Sequence, residues 1–203
     1  MNYLAHLYLA QPTADSHMGN LLGDFRKGVQ LSNYNDSVLR GLDNHYLVDK
    51  YTDSHPLVRD AKLRFNKTHR RFSGIALDVL FDHFLIKNWH TYRNSTLSFD
   101  AFKQQSYALL LARQSLMPNR MAQVIDLMSR DDWFEQYRSQ AGIERAIVNI
   151  SKRVRFENDF ANSVDDIGQH YDYFEHCFLT FFPQLQAHVK SHALESFGSR
   201  IKL

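Results

Sequence analysis

The sequence has 203 residues, 44% hydrophobic and 23% charged, an ordinary globular composition with enough chain for one domain and a sizeable core. Its 24 Lys and Arg nearly balance 22 Asp and Glu, and a net charge of +2 excludes a protein that coats nucleic acid by bulk charge. One Cys excludes an internal disulfide framework or a Cys-rich zinc knuckle, and 8 Gly and 4 Pro are too few for a turn-rich β-sandwich, leaving 11 His as the prominent feature.

The hydrophobic period is close to 3.6 nearly throughout, so the expected fold is all-α: one helical-bundle domain over residues 1–203. The opening segment MNYLAHLYLA predicts a helix over 2–10, ending before Pro12. It has no basic n-region and is interrupted by His6, and no stretch reaches the eighteen or so apolar residues of a membrane span. The expectation is a chain of a reducing compartment, most simply the cytoplasm, with no membrane partner. A second helix is predicted over 14–29 and a third over 36–53, with Asp36 as N-cap and Pro56 beyond its end. A fourth, strongly basic helix covers 57–72 and is closed by Gly74. The fifth, 75–92, is the most apolar, from Ile75 through Phe81, Phe84 and Leu85 to Trp89.

After the polar loop NSTLS come a helix over 99–115 capped by Ser98, two more near 119–129 and 131–139, and one over 143–160 after Gly142. A long aromatic helix follows over 162–181, and Pro183 breaks or kinks the pattern before a final segment at 184–197. Phe174, Phe178, Phe181 and Phe182 form its core stripe, and Cys177 among them is expected to be buried and inert.

The chemistry concentrates on the third and fifth helices. His45, Asp49 and Asp53 fall at i, i+4 and i+8, one stripe on one face. Asp78 and Asp82 are also four apart, with His83 adjacent, inside a helix apolar enough to be buried. Two carboxylates about 5–6 Å apart repel by roughly 3 kcal/mol at an effective dielectric near 20, a cost that a divalent cation removes. Face-to-face packing of the two helices would converge two His and up to four Asp on one point. Asp24 in GNLLGDF and His6 in YLAHLYL are further candidates. Imidazole and carboxylate without thiolate suit Mn²⁺, Mg²⁺ or Fe²⁺ at least as well as Zn²⁺, and such a metal orients a phosphate ester and activates water. The bland reading is a set of solvated faces and ion pairs, such as Lys50 and Arg59 with Asp49 and Asp53, with Asp53 as a turn residue before Ser54-His55-Pro56. Of the other histidines, His69 lies in the basic run, His17, His188 and His192 read as exposed, His90 as surface or behind the site, and His170 as core or site.

The fourth helix carries Arg59, Lys62, Arg64, Lys67, Arg70 and Arg71 against Asp60 alone, a solvated face or a docking patch for an acidic partner. A second basic cluster includes Lys152, Arg153 and Arg155, with Arg153 and Arg155 as phosphate-binding candidates. The absence of interleaved exposed aromatics argues against nucleic acid.

The opening MNYLAHLYLA, GNLLGDF at 19–25, the Gly-Leu-x-x-His-x-x-x-Asp-x-x-Thr-Asp run at 41–53 and ALDVLFDHFL at 76–85 resemble the acyl carrier protein phosphodiesterases, or ACP hydrolases. SKRVR at 151–155, HYDYFE at 170–175 and FFP at 181–183 are similar to that family's C-terminal half. The resemblance implies an atypical, distorted branch of the all-helical HD phosphohydrolases, dependent on a divalent metal, Mn²⁺ first and Mg²⁺ second. It implies release of 4'-phosphopantetheine from the serine of holo-acyl carrier protein, with that acidic protein as partner. On it, Asp24, His45, Asp78, Asp82 and His83 are metal ligands or catalytic residues, with His6 and Asp49 close by, and His83 or His45 holds or transfers the proton; Asp53 stays a lesser candidate from its spacing alone. One departure is that ordinary HD proteins carry His-Asp as neighbours, whereas here the order is Asp82-His83. Two rivals remain open: an HD-type hydrolase of a nucleotide or other small phosphoester, and a non-catalytic helical adaptor that binds an acidic partner.

Overall fold

A computed structural model describes residues 1–92, 97–154 and 156–196. The described residues form helices and turns with no strand, as the 3.6 period requires. The chain begins with α1 (Tyr3–Leu9) and α2 (Ala14–Leu22), the latter capped by Thr13, whose side chain accepts from the Ser16 N–H. Next come α3 (Asp36–Ser54), α4 (Pro56–Leu63), α5 (Ser73–Lys87) and the short α6 (Trp89–Tyr92). The second half comprises α7 (Phe99–Leu111), α8 (Asn119–Arg130), α9 (Trp133–Gln136), α10 (Gln140–Ser151), α11 (Ser163–Gln169) and α12 (Tyr171–His192). No helix of the described residues is long and apolar enough to cross a membrane.

α5 is the central element. From Ala76 to Ile86 every residue but Asp78 is buried, Asp82 and His83 among them. The aromatic stripe of α12 covers it: Phe178 packs on Phe81 and Phe84, and Phe181 on Phe81, with ring centroids 5.5, 6.0 and 5.9 Å apart. Each fully buried Phe contributes on the order of 2–3 kcal/mol, so this seam fixes how α5 is oriented. Cys177 is buried in the same seam, its thiol against the Leu57 carbonyl.

Several boundaries differ from the sequence pattern, each for a local reason. The second helix ends at Leu22 and tightens into a 3₁₀ turn at Gly23–Phe25, because Gly23 lies directly under the His45 ring. Asn35 rather than Asp36 caps α3, its side chain accepting from the Val38 N–H. The basic fourth helix stops at Leu63, so its six cations do not share one helix. Asn66 folds back to accept from the Thr68 N–H while its own N–H donates to Asp166, a turn that outcompetes continued helix. Arg59 and Lys62 therefore lie on α4, Arg64 caps it, Lys67 is in the turn, and Arg70 and Arg71 sit in a 3₁₀ turn at Arg70–Phe72. The predicted fifth helix divides at Asn88, and the predicted helices over 143–160 and 162–181 become α10, then α11 and α12. Pro183 does not interrupt α12: it faces solvent while Phe181, Phe182 and Leu185 stay buried, and that burial outweighs the roughly 3 kcal/mol cost of an interior proline. His17, read as exposed, is buried with Nδ1 on the Gln11 carbonyl, because α2 is covered by α7 as well as α3.

His69 is also buried and joins the 64–72 segment to the C-terminal half. Its Nδ1 lies 2.7 Å from Asp166 and its Nε2 3.0 Å from Asp159, so both ring nitrogens donate and the ring is an imidazolium. Burial opposes the charge, but the two carboxylates outweigh it and raise the pKa. A raised folded-state value means that the stabilisation is complete below the unfolded value near 6.5 and is lost as pH rises through the folded one. In urea unfolding between pH 5.5 and 8.5, the wild-type advantage over His69→Gln should shrink with rising pH by about 1 kcal/mol or more. An advantage that is flat or grows with pH would contradict the pairing.

Candidate metal centre

The centre begins at the crossing of α2 and α3. A Cβ on Gly19 would stand 2.2 Å from the Val38 carbonyl oxygen, and one on Gly41 2.8 Å from the Ser16 carbonyl oxygen. With no side chain at either position the two backbones touch, and the Asn20 carbonyl reaches His45. His45 Nδ1–H donates to that carbonyl at 2.8 Å, so the proton sits on Nδ1 and Nε2 faces Asp49 at 3.1 Å. Asn20 is itself fixed: its Oδ1 accepts from Asn44 Nδ2 at 2.9 Å, and its Nδ2 donates to Glu195 at 2.9 Å. Sequence reading missed Asn20 and Glu195. Asn20 alone left a signal, as a polar side chain inside the GNLLGDF motif.

α1 supplies the other half. His6 is fully buried, stacks on His45 with centroids 4.2 Å apart, and brings Nε2 to 3.2 Å from Asp49 Oδ1. Neither nitrogen of the buried His6 ring makes a hydrogen bond of good geometry, Nε2 meeting Asp49 as a close charged contact. One ligand atom each from His6, His45 and Asp49 lies within 4.8 Å of the others, and among the described residues this is the group with metal-site geometry. The α-amino group of Met1 stands as a cation between two carboxylates, 3.2 Å from Asp49 and 3.3 Å from Asp78. Two imidazole nitrogens and a carboxylate are a donor set that suits a divalent cation, and the ammonium held between Asp49 and Asp78 marks the negative potential there, so the residues fit one.

The electrostatics agree. Burial pulls the His6 pKa down to about 4, leaving a neutral ring with a lone pair for coordination. Burial also opposes the charge on His45, but Asp49 and Asp24 outweigh it and raise its pKa. For Asp49 burial acts upward, yet His45, His6 and the Met1 amino group dominate and hold the carboxyl well below the usual range.

The structure thus brings together His45, Asp49 and His6, with Asp78 joined through the Met1 nitrogen. Asp24 is exposed in the turn after α2, and its charge reaches His45 without a hydrogen bond to it. Asp53 is exposed and paired with Lys62 at 2.9 Å, while Asp49 turns inward; neither takes Lys50 or Arg59. Asp82 and His83 face elsewhere. Both Asp82 oxygens accept backbone N–H groups at the start of α1, from Leu4 at 3.1 Å and Ala5 at 3.0 Å. Helix starts leave such donors without partners, and here a carboxylate from α5 caps α1 across 78 positions of sequence. Burial pushes that carboxyl up to about 8 even against the two donors. His83 Nδ1–H donates to the Tyr137 carbonyl and Nε2 accepts from the Tyr171 hydroxyl, both at 2.7 Å. Arg153 lies over the Trp133 ring, 5.6 Å from its centroid, and Arg155 lies outside the described residues.

The sequence profile of the family described as acyl carrier protein phosphodiesterase matches residues 1–185. The acyl carrier protein phosphodiesterase of Serratia proteamaculans (strain 568) is 35% identical over 194 residues, 96% of this chain and 100% of that protein. The proteins of that name from Salmonella agona (strain SL483) and Salmonella enteritidis PT4 (strain P125109) are 33% identical over the same shares. No solved structure matches the chain.

Replacing Asp82 by Ala leaves the Leu4 and Ala5 N–H groups buried without acceptors. Chemical denaturation should show a loss of about 3 kcal/mol. Unchanged stability would show that α1 does not depend on this carboxylate.

Proposed function

This chain belongs to the acyl carrier protein phosphodiesterase family, and from that premise we propose that it is a metal-dependent hydrolase that releases 4'-phosphopantetheine from the serine of holo-acyl carrier protein, giving the apo-protein. The observation that carries this reading is the His6–His45–Asp49 cluster, whose ligand atoms lie within 4.8 Å of one another around a buried His6 ring.

His6, His45 and Asp49 would hold the cation. Two imidazoles beside one carboxylate favour Mn²⁺ over Mg²⁺, which prefers oxygen shells. When bound, the cation would neutralise phosphate charge and lower the pKa of a water. The remaining work falls to the chain itself. Asn20 holds the His45 ring through Nδ1, so that Nε2 keeps its direction. Asp78 is partly exposed and reaches the cluster through the Met1 nitrogen, from where its carboxylate would carry a proton at the site's open side. Asp24 adds negative charge near His45. Asp82 and His83 act from behind, Asp82 by seating α1 and thereby His6, His83 by tying α5 to Tyr137 and Tyr171.

The acidic partner would dock on the surface formed by α4 and the turns after it. Arg59, Lys67 and Arg71 are exposed there, and Arg71 lies over the Phe72 and Phe156 rings at 5.0 and 4.5 Å. This face adjoins the site: Lys62 lies against Gly74, whose neighbour Ile75 borders the cleft beside Asp78.

Incubation with holo-acyl carrier protein and Mn²⁺, followed by mass spectrometry of the carrier, should show loss of the prosthetic group. His45→Gln should lower the rate about 100-fold or more while the protein stays folded. No mass loss with the wild-type protein, or full activity in His45→Gln, would overturn the proposal. Turnover of a nucleotide panel in place of the carrier would instead support the small-phosphoester reading.

A further inference from the structure

Beside the cluster lies a cleft of about 370 Å³, within the size range of small-molecule sites. Asp78 forms part of its wall and contacts the same Met1 nitrogen as Asp49, so a single atom separates this wall from the metal-site carboxylate. Its walls mix apolar and amide side chains with the charged Asp78, Asp131 and Arg153. Val79, Leu127 and Ile150 make apolar surface, and Leu127 is exposed, an apolar side chain left at the opening. Between them stand three side-chain amides, Asn2, Gln136 and Asn149, from three separate segments. Amide side chains donate and accept at once, so with the apolar wall they match a ligand that alternates amide groups with aliphatic segments.

We infer that this cleft binds the pantetheine arm of the substrate, a branched aliphatic segment followed by two amides and a thiol, while the phosphate rests at the cluster. The inference rests on the reading of the preceding section and deepens it, because it assigns the residues that recognise the prosthetic group rather than the carrier. A ligand whose phosphate meets His6, His45 and Asp49 has its attached chain led past Asp78 into this cleft. The branched segment packs on Val79 and Ile150, and its amides meet Asn149, Gln136 and Asn2. The exposed Arg153 and its stacked Trp133 line the same cleft, next to Asn149 and Ile150 on the C-terminal side of α10. Ala146, buried on the cleft wall, leaves the space that the arm fills.

The probe is pantetheine itself, the phosphate-free alcohol, titrated into the intact protein in the presence of EDTA by calorimetry and by Trp133 fluorescence. The wild-type protein should bind it saturably with a fluorescence change. Ala146→Phe, which fills the cleft, and Asn149→Leu, an exposed position that removes one amide without touching the core, should each weaken binding about tenfold or more. Circular dichroism melts identify an Ala146→Phe protein that fails to fold, in which case Asn149→Leu decides. Wild-type protein that releases the prosthetic group from holo-carrier yet binds no pantetheine, or variants that bind it as the wild type does, would overturn the inference and leave the hydrolase reading intact. Wild-type protein that binds pantetheine through these residues but leaves the carrier unchanged would support the cleft and overturn the hydrolase reading.

Discussion

The contact on which the site depends is the glycine-to-glycine crossing of α2 on α3. At Gly19 and Gly41 each backbone occupies the space that the other's Cβ would need, and Gly23 does the same for the His45 ring, where a Cβ would stand 2.0 Å from Cδ2. A methyl group at Gly19 would meet a carbonyl oxygen rather than a flexible side chain, and overpacking against backbone costs about 1–3 kcal/mol or more. The close approach does more than pack two helices. It brings the Asn20 carbonyl to His45 Nδ1, which selects the tautomer and turns Nε2 toward Asp49. The Asn44–Asn20–Glu195 bonds then hold Asn20 from the side away from the site.

The second constraint is the seating of α1. A seven-residue helix is too short to be stable alone, and its position comes from Asp82 on α5. Because α5 is locked between the α12 aromatics and its own apolar neighbours, the Asp82 carboxylate is a fixed point. It transmits that rigidity to His6, the next residue along α1 after Ala5. Three helices distant in sequence, α1, α3 and α5, therefore meet with their polar groups in register.

Much of this was legible in the sequence. The all-α class followed from the 3.6 period, and the apolar α5 with polar Asp78, Asp82 and His83 marked a polar interior. The stripe His45–Asp49 needed only helical spacing. The division of labour between the buried polar residues was not legible, because adjacency in sequence cannot say which side of a helix faces which neighbour. Asp82 and His83 look like one motif, yet a helix turns about 100° per residue and sends the first to α1 and the second to Tyr137 and Tyr171. His6 carried a signal as the one polar residue of YLAHLYL, but its stacking on His45 depends on a tertiary contact with no local trace. The basic run reads as one helix because Asn66 and Thr68 compete with helical hydrogen bonding only through their side chains, which periodicity does not register.

Three features of the protein would serve one function: a carboxylate–imidazole cluster able to hold a cation, a partly amide-lined cleft beside it, and a basic face bordering that cleft. All three depend on the cluster being a metal centre rather than a buried ion-pair network. The direct measurement is a titration of Mn²⁺ followed by electron paramagnetic resonance, comparing the wild-type chain with Asp49→Asn. One tightly bound equivalent in the wild type, and binding about 100-fold weaker or absent in the variant, is the predicted result. Failure of the wild type to bind Mn²⁺, or equal binding by both proteins, would contradict the account at its centre.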